Sequence, residues 1–67
     1  MSDKKLVTRL HGRYYTIEIY KSEGWFSSDY YVRRSDGKSL GVYKDRDRAV
    51  KAAYKAAGPN AVESRLA

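Results

Sequence analysis

The sequence predicts an α+β domain: an antiparallel β-meander of three to four strands, one C-terminal helix packed on one face, and a short tail helix. Three observations lead there. Apolar and polar residues alternate through residues 5–43, with β-branched and aromatic side chains well represented. Ser35-Asp36-Gly37 separates two such runs, as a hairpin turn does. From Arg46 to Ala57 the alternation gives way to apolar residues at helical spacing, closed by Gly58-Pro59.

Residues 1–4 read as a flexible N-terminus, and the sheet begins at Lys5. In Lys5 to Leu10, Leu6, Thr8 and Leu10 share one side of a strand, with Val7 and Arg9 on the other. His11-Gly12 turns the chain, and a two-residue loop pairs Leu6 with Ile17 and Thr8 with Tyr15. Tyr15, Ile17 and Ile19 then point inward, and Tyr14, Thr16, Glu18 and Tyr20 outward. Lys21 to Gly24 reads as a loop. Beyond it, the parity of Ser27 to Asp29 decides whether Trp25 or Phe26 enters the core.

The next hairpin is the most specific local signal. With Gly37 in a left-handed conformation, a three-residue loop sets Arg34 against Lys38. Continued without interruption, that register pairs Val32 with Leu40 and Tyr30 with Val42 on one face, and Arg33 with Ser39 and Tyr31 with Gly41 on the other. Gly41 opposite Tyr31 either leaves a gap where a ligand backbone approaches or relieves crowding beside the ring.

Asp45 is the candidate helix cap, with Asp47 in the first turn where a carboxylate favours the dipole. Over residues 46–57, Ala49, Val50, Ala53, Tyr54 and Ala57 form the buried stripe, and Arg48, Lys51 and Lys55 lie away from it. In the tail, residues 60–67, Asn60 and Glu63 have capping-box spacing, and Val62 and Leu66 stand one helical turn apart.

A single domain of 67 residues buries only about 60% of its unfolded surface, and no cysteine is present to add a disulfide or a thiolate metal site. The single histidine makes no metal cluster alone, so no cofactor is expected. No apolar run has the length of a transmembrane helix, and Met-Ser-Asp-Lys-Lys lacks a secretory signal core; no membrane partner and a cytoplasmic location are expected. Catalysis is not expected either. Ser27 and Ser28 have no base partner, and Glu18, Asp29, Asp45 and Asp47 are scattered over strand and cap positions.

Fourteen Lys and Arg against eight Asp and Glu give a formal charge of +6, a field that favours polyanions. On the predicted outer sheet face stand Tyr14, Tyr20, Tyr31, Arg33 and Tyr43, with Arg9 nearby. Such rings stabilise an exposed sheet by cross-strand packing, and beside arginine they also suit nucleic-acid recognition.

Gly37-Lys38-Ser39-Leu40-Gly41-Val42-Tyr43 followed by Asp45-Arg46-Asp47-Arg48-Ala49-Val50-Lys51-Ala52 resembles the last strand and helix of the arm-site-binding domain of phage and transposon tyrosine-recombinase integrases. The same stretch is similar to the ethylene-response-factor DNA-binding domain of plants, whose pattern has tryptophan where Ser39 stands and its helix tyrosine one position before Tyr54. Both families set a three-stranded sheet, backed by a helix, into the DNA major groove. The resemblance implies DNA contacts from Tyr31, Arg33, Ser39 and Tyr43, and flanking phosphate contacts from Arg34, Lys38 and Lys44. Arg9 and Tyr14 complete the candidate nucleic-acid site. Arg46 and Arg48 are left to helix-face salt bridges.

The expected function is binding of nucleic acid, duplex DNA ahead of single strand, by a monomer or homodimer. The alternative is a small phage- or plasmid-type protein that binds and inhibits a host protein through the tyrosine-rich surface.

Overall fold

In a computed structural model, which describes residues 4–23 and 28–66, the chain forms five strands and one helix in the order β1 (Lys4–His11), β2 (Thr16–Glu23), β3 (Ser28–Arg34), β4 (Ser39–Tyr43), α1 (Arg46–Ala57) and β5 (Val62–Arg65). The strands make one antiparallel sheet in the order β4-β3-β2-β1-β5. The meander with a helix on one face is therefore present. Trp25 and Phe26 lie outside the described residues.

The core sits between α1 and the inner face of the sheet, where Leu10, Ile17, Ile19 and Val32 meet Ala49, Ala53 and Ala57. Alanines at the contact let the helix axis come close, and the larger Val50, Tyr54, Tyr30, Leu40 and Tyr43 seal the margins. The helix bounds and buried stripe match the sequence reading. Asp45 holds the cap position without a side-chain cap bond, and its carboxylate pairs instead with Arg48 at 3.2 Å. Gly58, at φ 108°, stops the helix and donates its N–H to the Tyr54 carbonyl at 2.8 Å.

Five expectations are corrected. The tail forms strand β5 rather than a helix. One turn of helix is costly to nucleate, while the free edge of β1 offers partners for backbone groups, so residues 62–65 pair with residues 8–11. The first turn is longer than two residues: Gly12 donates to the Tyr15 carbonyl at 3.0 Å, and Leu10, not Leu6, pairs with Ile17. A bulge at Val7 then changes the parity of β1. Thr8 and Leu10 stay inward, Val7 joins the core, and Leu6 pairs with Tyr20 on the outer face. The ends of the first hairpin also move, since Lys4 already belongs to β1 and β2 continues through Lys21 to Glu23.

The fifth correction concerns the second hairpin. Its turn is the expected three-residue loop, with Arg34 N–H bonded to the Lys38 carbonyl at 2.8 Å, Gly37 at φ 99°, and Arg33 opposite Ser39. A bulge at Leu40 then shifts β4 by one residue, so that Gly41 opposes Val32, Val42 opposes Tyr31 and Tyr43 opposes Tyr30. Tyr43 consequently faces the helix. Its ring covers Gly41, where an added Cβ would lie 3.0 Å from the Tyr43 hydroxyl. Gly41 makes room for a tyrosine of its own chain, not for a ligand beside Tyr31.

Candidate nucleic-acid interface

Strand alternation and pairing arrange the outer face as two rows running across the sheet. Leu6, Tyr20, Tyr31 and Val42 are successive cross-strand neighbours from β1 to β4. Beside them, Ser64, Arg9, Glu18, Arg33 and Ser39 make a polar row from β5 to β4. The two bulges keep these rows aligned at the sides of the sheet, because each inserts one residue between the rows on its own strand. No described element packs on this face.

In the polar row Arg9 Nη2 lies 3.1 Å from Glu18 Oε2, and the Tyr20 hydroxyl donates to Glu18 Oε1 at 3.3 Å. Glu18 is thus neutralised by one neighbour and oriented by the other. Arg33, its partner across β3, is exposed and has no hydrogen bond or ion pair among the described residues. In the aromatic row, Lys4 Nζ stands 4.0 Å from the centre of the Tyr31 ring, a cation–π contact that fixes a positive charge over the face. Lys4, Tyr20, Tyr31, Arg33, Gly37 and Ser39 border a shallow open hollow of about 460 Å³.

Of the residues singled out in the sequence, Arg9, Tyr31, Arg33 and Ser39 share this face. The others do not. Arg34 sits at the hairpin end in register with Ile17, stacks over Tyr15 at 4.2 Å and bonds Asp36 through Nε at 2.9 Å. That bond holds the Asp36 carboxyl down at about 2, helped by the Lys38 backbone N–H, and raises Arg34. Lys38 lies at the hairpin tip. Lys44 follows β4 at the opposite end of the strand, where its bond to Asp29 at 2.6 Å raises its pKa. Tyr43 faces the helix.

Tyr14 is 80% exposed in the β1–β2 loop, with Arg13 5.7 Å from its ring centre. It borders a different hollow, about 550 Å³, between that loop and the end of α1. Gly12 brings the two together; a Cβ there would fall 2.3 Å from the Ala57 carbonyl oxygen.

Sequence reasoning missed Lys4, Leu6 and Val42 as members of the outer face. The hydrophobic character of Leu6 and Val42 argued for burial, and only the two bulges reverse it. Arg46 and Arg48 behave as read: Arg46 bonds the Thr8 hydroxyl at 3.2 Å and approaches Glu63 at 3.6 Å, while Arg48 holds Asp45. Among the described residues no helix is long and apolar enough to cross a membrane. Comparison of the chain with known protein families, with curated proteins and with solved structures finds no match.

Proposed function

We propose that the protein binds duplex DNA with the outer face of its sheet, led by the β3–β4 hairpin. One observation carries this reading: the carboxylates Glu18, Asp29 and Asp36 on and around the face are each bonded to a cation, while Arg33 between them is exposed without an ion pair among the described residues. A polyanion approaching here meets neutralised acids and a free guanidinium, within a chain of formal charge +6.

Dimensions favour the hairpin side. Strands lie about 4.8 Å apart, so a full five-strand sheet is wider than the major groove of about 12 Å, whereas β2, β3 and β4 span about 10 Å. Arg33 then addresses a guanine edge or a phosphate, Tyr31 packs on sugar or base, and Ser39 and Lys38 contact the backbone. The partial resemblance of the hairpin and helix to integrase arm-site and ethylene-response-factor domains points the same way.

Fluorescence anisotropy on a labelled duplex across a salt series tests it, with single-stranded DNA alongside. Affinity should fall steeply with salt, and Arg33→Ala should weaken binding by about 1–3 kcal/mol without lowering the melting temperature. Absence of duplex binding at low salt sinks the reading. Preference for single strands would move the contact to base stacking on Tyr31 and Tyr20.

A second reading has its own observation. The unbroken row of Leu6, Tyr20, Tyr31 and Val42, with Val42 53% exposed, suits capture of a host protein by an apolar strip with a charged margin. Such binding would persist at high salt.

A further inference from the structure

The two ends of the sheet are finished differently. At β4 the bulge and Gly41 break the regular edge, a common obstacle to strand addition. At β5 the edge is regular through Val62-Glu63-Ser64-Arg65, and Leu66 extends it by donating its N–H to the Val7 carbonyl at 3.0 Å. Since Leu66 directs its backbone groups to β1, alternation sends those of Ser64 and Val62 the same way and leaves the N–H and C=O of Glu63 and Arg65 pointing away from the sheet. Val62 and Leu66, on the outer side with Ser64, are 64% and 52% exposed.

From these features we infer that β5 is a homodimer contact, pairing antiparallel with β5 of a second copy about a two-fold axis at Ser64. The segment Val62-Glu63-Ser64-Arg65-Leu66 is complementary to its own reverse. In that register Ser64 faces Ser64 of the partner, Glu63 faces the partner's Arg65, and Val62 faces the partner's Leu66. Each Glu63–Arg65 pairing is also the one at which outward backbone groups meet, so four N–H···O=C bonds close around the axis. The exposed apolar residues are covered together, and opposite charges lie across from one another on the helix side of the sheet.

Intramolecular contacts leave the strand ready for this exchange. Glu63 is held toward the helix side by Arg46, and Arg65 reaches Glu63 of its own strand only at 3.5 Å. A second copy supplies Arg65 from directly opposite. The dimer is a ten-stranded sheet with the β4 edges at its far ends, and it does not depend on what the outer face binds.

Analytical ultracentrifugation of the full chain over a concentration series tests the inference, using Arg65→Glu, Glu63→Arg and an equimolar mixture of the two. Wild type should form dimers. Each variant alone sets like charges opposite across the axis and should raise the dissociation constant at least about tenfold. The mixture restores opposite charges at every position and should dimerise again. That recovery also separates a lost contact from a misfolded variant. A wild type that stays monomeric to about 1 mM, or a dimer unaffected by both substitutions, overturns the inference; so does a mixture no better than its components.

Discussion

The inner and outer faces of the sheet are made by the same strands, yet they are organised on opposite physical terms. The inner face is held by shape: Leu10, Ile17, Ile19 and Val32 are enclosed by a helix that presents only alanines at its centre. The outer face is held by pairing, with Arg9 on Glu18, Tyr20 on Glu18 and Lys4 on Tyr31, and remains open to solvent. Stability concentrates on the inner side because burial of apolar area is worth more than exposed ion pairs, and the outer side contributes less to the fold.

The strongest way to break this contrast is to cut into the inner face. Ile17→Ala should cost about 2–5 kcal/mol in chemical denaturation, because the residue is fully enclosed and the cavity has little means of collapse. A loss below about 1 kcal/mol would mean that the helix does not pack as described. The converse substitution, Arg33→Ala, should leave unfolding within about 0.5 kcal/mol of wild type while weakening duplex binding. If stability and binding fall together, the faces are not separable.

A subtler probe acts on the hairpin that joins the two faces. Gly37→Ala forces a side chain at φ 99° and should cost about 1–2 kcal/mol, seen in thermal melts, with faster amide exchange at the β3–β4 turn. The smallest effect expected is that of pH at the same turn. Asp36 is held at about 2, below the ordinary carboxylate value near 4, by Arg34 and the Lys38 N–H. Its contribution is complete above about pH 4 and is lost as the pH falls toward 2. Asp36→Asn should remove that part of the acid sensitivity; an unchanged acid profile would show the carboxyl idle.

The helix was legible to its ends because its signals are local: an acid at the start, alanines at helical spacing, and Gly58-Pro59 as a stop. The β3–β4 turn was legible for the same reason, through the need for a left-handed residue at Gly37. Registers further along the strands were not. Bulges at Val7 and Leu40 depend on what the neighbouring strand presents, and each changes which face the following residues occupy. Tyr43 and Leu6 changed sides on that account. The tail was misread because Val62 and Leu66 fit one helical turn, whereas its strand state depends on the open side of β1, more than fifty positions away in the chain. Four of the nine candidate residues share the outer face, Arg9, Tyr31, Arg33 and Ser39, and they lie on stretches whose parity no bulge altered.

Val7 carries one more consequence. Leu6 and Thr8 already oppose consecutive residues of β2, Tyr20 and Ile19, so the strand would run on in register if Val7 were absent. Val7 is in effect an insertion that the sheet has absorbed: a chain one residue shorter at this point would keep Leu6 outward and Thr8 inward, so the outer surface would be unchanged, while the core would lose a side chain and Leu66 the carbonyl it donates to.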